Sequence, residues 1–154
     1  MDIKAKLLDY LKGKRLMIIA TVSEAGPWIC SVYYAIDDQF NLYFISSPTA
    51  KHVADLERNN KVAIAVTDTT QKFEMQKRGA QMIGTAEKLV SGSDEYAAAI
   101  KLWTETVWGY HDNRIFEQPG VKSMAGLLYR VKINHAKYLD EIDFGEHVAK
   151  DIDL

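Results

Sequence analysis

The 154-residue chain has one cysteine, three prolines and no long apolar run. The lone Cys30 cannot form an internal disulfide, and a single thiol within an apolar segment predicts a buried side chain in a reducing compartment. The longest apolar stretches, such as residues 16–20, are far too short to span a bilayer. We therefore expect a cytoplasmic protein that does not enter a membrane.

The charges are nearly balanced, with a formal net charge of -2 at pH 7 and a pI of about 6.1. A near-neutral chain is not attracted to the phosphate backbone of a nucleic acid, so no nucleic-acid partner is expected. Hydrophobic residues make up 47% and charged residues 26%, the balance of an ordinary globular protein. Because the length suits one hydrophobic core, we predict a single domain over residues 1–154.

The sequence also lacks the common catalytic and metal-binding patterns. It has no G-x-S-x-G, C-x-x-C, H-E-x-x-H or Walker sequence. We expect no metal site, and we interpret His135, near a strand end, as a hydrogen-bonded structural residue. If the protein is an enzyme, a cofactor supplies the difficult chemistry. The four histidines are scattered along the chain, without metal-ligand spacing, at His52, His111, His135 and His147.

Most of the sequence consists of apolar and aromatic stretches joined by short turns, a pattern that favours antiparallel strands. Gly79 and Gly84 interrupt one strand, and such glycines mark a bulge or a close approach. We predict a mainly β fold, a six-stranded antiparallel barrel with short flanking helices, and an acidic tail over the surface at 140–154. The expected strands are 16–22, 28–36, 40–45, 61–67, part of 73–90, and 127–139. The expected helices are 3–12, which Asp2 can cap, 49–58 and one capped by Ser93, and residues 108–123 are irregular.

Residues 42–58, LYFISSPTAKHVADLER, read as a strand, a polar loop and a helix start. Thr49 is a suitable N-cap for that helix. A helix start presents unpaired N–H groups and the positive end of the dipole, which suits a phosphate. Two hydroxyls and two basic side chains lie beside it, although most capped helices hold only water. These candidate ligands are Ser46, Ser47, Lys51 and His52.

Three segments in this order resemble the pyridoxamine 5′-phosphate oxidase-like family of flavin-binding split β-barrels. They are the hairpin PWICSVYYAIDDQFNLYFISS, the loop and helix SPTAKHVADLERNNKVAIAV, and the strand RGAQMIGTAEKL. The resemblance runs from about residue 16 to residue 90, with weaker agreement to residue 133. Within the family, the chain is most similar to a group of small bacterial proteins.

The resemblance implies a fold of the FMN-binding split barrel type and a homodimer with two cofactor sites at the subunit interface. It implies that residues after the third strand hold the FMN phosphate and that the flavin ring lies along the second strand. A glutamine on the strand after Gly79 is either a polar contact of the flavin or a solvent-facing residue. The implied cofactor-binding residues are Val32, Tyr33, Ser46, Ser47, Thr49, Lys51, His52 and Gln81.

Departures from the family pattern bear on activity. The enzymes that oxidise pyridoxamine phosphate carry an arginine on the second strand and an Arg-Lys pair at the helix start. Here residues 27–36 contain no basic side chain, and Ala50 replaces the first member of the pair. The C-terminal Trp and Arg motif of those enzymes is not evident. We therefore expect no pyridoxamine phosphate oxidase activity and a weaker hold on phosphate.

The sequence is compatible with three functions. The first is an FMN-dependent oxidoreductase acting on a small-molecule substrate that the sequence does not identify. The second is a flavin or haem binder without turnover, and the third is a barrel that has lost its cofactor. FAD, F420 and haem are alternatives to FMN as the bound group.

Overall fold

Strands make up most of the structure, a computed structural model that describes residues 2–109 and 127–154. Asp2 caps the first helix with its side chain and Ser93 caps the third, as predicted. A π-helical turn at Thr104–Trp108 continues the third helix. The elements are α1 Ile3–Lys12, β1 Leu16–Ser23, β2 Gly26–Ile36, β3 Asn41–Ile45, α2 Lys51–Leu56, β4 Lys61–Thr67, β5 Arg78–Lys88, α3 Asp94–Trp103, β6 Leu128–Asp140, α4 Glu141–Phe144 and β7 Ala149–Asp153.

The strands form one antiparallel sheet in the order β3-β2-β1-β4-β5-β6-β7. Because β3 also pairs with β6, the first six strands close into a barrel. β6 pairs with β3 along its first half and with β7 along its second half. The predicted mainly β, antiparallel barrel with short flanking helices is confirmed. Most of residues 108–123, predicted to be irregular, lie outside the described residues.

The acidic tail corrects one prediction. It does not simply run over the surface, because residues 149–153 form β7, a seventh strand beside the six of the barrel. Ile152 supplies the apolar contact for this strand and is 6% exposed. The predicted hydrogen-bonded role of His135 on β6 is also confirmed, since its ring nitrogens contact the carboxylates of Asp151 and Asp153 at 3.1 and 2.9 Å.

A bulge in β6 lies opposite Gly84 of β5, where the interrupted strand predicted a bulge or a close approach. Ile83 pairs with His135 but Gly84 pairs with Ile133, so Asn134 is the extra residue and the register shifts by one. A Cβ atom at Gly84 would lie 2.4 Å from the carbonyl oxygen of Lys132. The close approach of β5 and β6 therefore requires glycine at this position.

Replacing Gly84 with alanine is expected to lower the free energy of unfolding by about 1–3 kcal/mol, because the backbone must shift to admit the methyl group. Urea denaturation measures the change. Gly79→Ala on the same strand is the control, since the nearest atom to a Cβ there is 3.7 Å away. Equal losses in the two variants would show that the bulge does not need glycine.

Candidate functional site

The loop between β3 and α2 places two hydroxyls side by side on the surface. The Oγ1 atom of Thr49 lies 3.0 Å from the Oγ atom of Ser47, which also accepts from the Thr49 amide at 3.4 Å. This serine turn delays the helix. The prediction of Thr49 as N-cap is therefore wrong: α2 begins at Lys51, and Ala50 occupies the cap without a side-chain hydrogen bond.

His52 faces the interior of the protein. Its side chain is buried, at 7% exposure. Its Nε2 atom is hydrogen-bonded to the hydroxyl of buried Ser46, and its Nδ1 atom lies 3.3 Å from Cys30 Sγ. Burial lowers the pKa of His52, against a smaller opposite effect of Asp55. His52 is thus a neutral structural residue that would have to break both contacts to reach a phosphate at the loop.

The same contact corrects the interpretation of Cys30. The sequence predicted a buried thiol, but the side chain is only partly buried, and it lies beside the imidazole of His52. Burial raises the pKa of the thiol, so it is protonated at neutral pH. No sequence pattern signals this contact, because twenty-two residues separate its two partners.

Lys51 forms an ion pair with Asp55 one helical turn later. Its Nζ atom lies 2.9 and 3.0 Å from the two carboxylate oxygens of Asp55 and 5.5 Å from the ring centre of Trp28. Asp55 is 4% exposed, and its Oδ2 atom accepts from the hydroxyl of Thr21 at 2.8 Å. The hydrogen bond from Lys51 is the largest of the effects that lower the pKa of Asp55. Asp55 was not among the predicted site residues, although its i,i+4 spacing from Lys51 is a sequence signal for such a pair.

β2 has an edge that no described strand covers along much of its length. It pairs with β1 over residues 26–33, but with β3 only from Tyr34 to Ile36. The Tyr34 amide donates to the Arg15 carbonyl beside β1. Because backbone groups alternate in direction along a strand, Val32 also directs its own toward β1, whereas Ser31 and Tyr33 direct theirs to the open edge.

Val32 and Tyr33, the two cofactor-binding residues predicted on β2, therefore differ in which groups they could present to a ligand. Val32 is partly buried and packs against the barrel core. Tyr33 is 57% exposed on the opposite face of the strand, and its carbonyl accepts from the indole nitrogen of Trp103 at 3.3 Å. The open edge lies beside the loop, since Cys30 and Trp28 of the same strand contact His52 and Lys51.

Gln81 lies apart from these residues. Gln81 is exposed on β5 and pairs with Ala65 on β4. Ala65 pairs with Ile18 on β1, and Ile18 pairs with Ser31 on β2, so the four residues form one row across the sheet. Three strand spacings separate the ends of this row, or about 14 Å. Within one chain Gln81 is thus a solvent-facing strand residue, which was one of its two predicted roles.

The outer side of the sheet is unusually apolar around Gln81. Strand pairing lines up Ile29, Ala20, Ala63 and Ile83 across four strands, and these residues border a groove of about 490 Å³. Exposed apolar patches of this kind mark interaction surfaces. We call this surface the outer apolar face. Its large exposed side chains include Leu16 at 45%, Ile29 at 64%, Tyr33 at 57% and Ile83 at 55% exposure.

Membrane-spanning helices and metal-binding clusters were sought in the described part of the chain. Within residues 2–109 and 127–154, no helix has the length and apolar character needed to cross a membrane. Over the same ranges, no group of three or more His, Cys, Asp or Glu side chains could hold a metal ion. His111, one of the four histidines, lies outside these residues.

A family model described as pyridoxamine 5′-phosphate oxidase matches residues 3–132, which is most of the chain. The chain belongs to this family. The resemblance carried by the three sequence segments is thereby confirmed. A UPF0306 protein of Pasteurella multocida is 29% identical over 96 residues, a match that covers 62% of this chain and 64% of that relative. This likeness agrees with the predicted position near a small bacterial group of the pyridoxamine 5′-phosphate oxidase family.

Solved structures share the same split barrel. A FAD-binding protein from Mesorhizobium loti superimposes with a TM-score of 0.68 at 18% identity, over 88% of this chain and 93% of that one. HutZ, the haem storage protein from Vibrio cholerae, superimposes with a TM-score of 0.73 at 14% identity, over 95% of this chain and 100% of that one. At these identities the likeness concerns the fold, and the same barrel holds different groups in different proteins.

The described residues offer two kinds of polar group to a ligand at this site. The open β2 edge offers backbone groups to the polar rim of a planar ring, and the adjacent loop offers the hydroxyls of Ser47 and Thr49 with Lys51 to a phosphate. A haem requires an axial ligand such as histidine. His52 and His135 are held by other side chains, and His147 is exposed beside Glu141.

The buried position of His52 predicts a specific dependence of stability on pH. Its pKa in the folded protein lies below the value of about 6.5 in an unfolded chain, so the unfolded state takes up a proton first as the pH falls. His52 therefore lowers stability as the pH drops below about 6.5. We expect His52→Gln to reduce the loss of unfolding free energy between neutral and mildly acidic pH, as measured by urea denaturation.

His135→Gln is the matched control, with the opposite sign. Two aspartates raise the pKa of His135, so its contribution to stability is present below about pH 6.5 and is lost as the pH rises through the raised pKa. This variant should lose more stability on acidification than the wild type. If the curves of wild type and His52→Gln run parallel, the buried imidazole does not have the depressed pKa.

Proposed function

We propose that the protein binds FMN between two copies of the chain and acts as a flavin-dependent oxidoreductase on a small-molecule substrate. The observation that carries this proposal is the open edge of β2 beside the loop of Ser47, Thr49 and Lys51. A ring-binding edge and a phosphate-binding loop lie together on one side of the barrel. A bound flavin supplies hydride or electron transfer, chemistry for which no catalytic side-chain pattern is present in the sequence.

The chain itself would hold and orient the flavin. The backbone groups of Ser31 and the amide of Tyr33 would contact the ring edge, because they face away from β1, whereas the Tyr33 carbonyl already accepts from Trp103. The hydroxyls of Ser47 and Thr49 would donate to the phosphate, and the ammonium group of Lys51 would add a charge-assisted hydrogen bond. Val32 would support the ring from the core side. Ser46 and His52 would act indirectly, by fixing α2 against β2.

A second copy of the chain would complete the site. The outer apolar face leaves large side chains exposed that a partner could bury. Gln81 lies on this face, and the row of strands keeps it about 14 Å from Ser31 within one chain. A contact between Gln81 and a flavin at the β2 edge therefore requires the partner.

Members of a family can differ in activity, and this chain lacks residues that the enzymes oxidising pyridoxamine phosphate carry. β2 carries no basic side chain, and Ala50 caps α2 where those enzymes have an arginine. We accordingly propose a different substrate from pyridoxamine phosphate. A cytoplasmic location stays a prediction from the cysteine content.

Haem binding is the second candidate, and it rests on the likeness of the fold to HutZ. None of the three histidines in the described residues is placed as an axial ligand: His52 is buried in two contacts, His135 is bound to two aspartates, and the ring of His147 contacts Glu141. A flavin or haem carrier without turnover, and a barrel without any cofactor, predict no reduction of acceptors. Steady-state assays of the flavin-loaded protein with reduced nicotinamides separate these alternatives from an oxidoreductase.

Lys51→Ala is expected to weaken FMN binding by about tenfold or more, because it removes the cation nearest the phosphate and leaves the carboxylate of Asp55 uncompensated. Quenching of flavin fluorescence in a titration measures the affinity. Lys101→Ala is the control, since this lysine is exposed on α3 and pairs with Glu105. Unchanged FMN affinity in Lys51→Ala would refute the assigned phosphate site.

Ile83→Glu is expected to convert the proposed dimer to a monomer, because it places a charge on the outer apolar face. Sedimentation velocity measures the change, and FMN affinity should fall with it because the site needs both chains. Val90→Glu introduces the same charge at an apolar residue that is 74% exposed after β5, and should leave the dimer intact. A monomeric wild-type protein at working concentration would contradict the two-chain site.

A further inference from the structure

We infer that Asp55 limits how much the site gains from the phosphate of a ligand, because it neutralises Lys51 before the ligand arrives. The inference rests on the proposed flavin function and specifies the ligand chemistry of the same site. It predicts that the protein binds riboflavin, which has no phosphate, with an affinity close to that for FMN.

The ion pair itself is the first step. Both oxygens of the Asp55 carboxylate lie within 3.0 Å of Lys51 Nζ. Among the described residues, no other cation contacts this carboxylate. The pair therefore has no net charge, although Lys51 is the one lysine or arginine among residues 46–52.

Burial makes the pair asymmetric, which is the second step. Asp55 is held by a hydrogen bond from fully buried Thr21, and its side chain is 5% exposed. The Lys51 side chain is 41% exposed and lies over the ring of Trp28. The cation can shift toward a ligand in solvent, whereas the anion cannot move away from the cation.

An incoming phosphate would then meet both charges. The attraction of Lys51 for a phosphate dianion is opposed by repulsion from a carboxylate that lies only one hydrogen bond behind the ammonium group. The carboxylate stays ionised near neutral pH, since the lysine and the threonine hydroxyl both stabilise its charged form. Most of the flavin affinity must come from the ring at the β2 edge rather than from the phosphate.

Asp55→Asn tests this inference, since the amide keeps the size of the side chain and an acceptor for Thr21 while it removes the charge. Titrations with FMN and with riboflavin give the ratio of their dissociation constants. We expect the preference for FMN to rise by roughly tenfold in Asp55→Asn, with the riboflavin affinity nearly unchanged. Glu57→Gln, at an exposed carboxylate at the end of α2, is the control and should leave the ratio unchanged.

An unchanged or smaller preference for FMN in Asp55→Asn would overturn the inference. The salt dependence of the wild type gives a second readout that does not depend on the variant folding. A neutralised Lys51 predicts FMN affinity that changes little from low to physiological ionic strength, whereas a steep loss would contradict it. If the wild type binds neither flavin, the proposed function fails and the inference with it; if both bind and only the variant ratio disagrees, the inference alone fails.

Discussion

β3 is only five residues long, and its length decides where the barrel is open. It reaches the last three residues of β2 and the first half of β6, so the rest of β2 has no strand beside it on that side. The chain leaves β3 at Ser46 and turns into α2, which packs against β1 and β2. An open backbone edge and a polar loop are brought together in this way, and the proposed flavin site follows from that arrangement.

Buried polar contacts fix α2 in this place. His52 links the end of β3, through Ser46, to Cys30 on β2, and Asp55 links α2 to Thr21 on β1. Without these contacts, the side chains of His52 and Asp55 on the short helix α2 would be exposed to solvent. A buried polar group without a partner is costly, so these contacts specify one position of the helix. Lys51 is thereby held at the surface between the loop and Trp28.

Much of the fold follows from local sequence signals. The caps Asp2 and Ser93, the apolar strands and the bulge opposite Gly84 are each encoded within a few residues, so the pattern predicted them. The seventh strand was missed because its alternation, residues 151–154, is short and lies in an acidic segment, and because no tight turn joins it to its partner on β6. The inward side of His52 and the burial of Asp55 were also missed, since both depend on partners on β1 and β2. Thr49 is not the cap because its hydroxyl contacts that of Ser47 and the helix begins only after Ala50. The family resemblance gave the fold correctly, and its assignment of ligand residues stays a prediction.

The visible absorption spectrum of the purified protein, recorded after incubation with excess FMN and desalting, is the most direct test of FMN binding. Binding at the β2 edge predicts a retained flavin spectrum that corresponds to one FMN per chain, with bands shifted from those of free FMN by the environment of that edge. A colourless protein after desalting, together with no change in flavin fluorescence on titration, would contradict it.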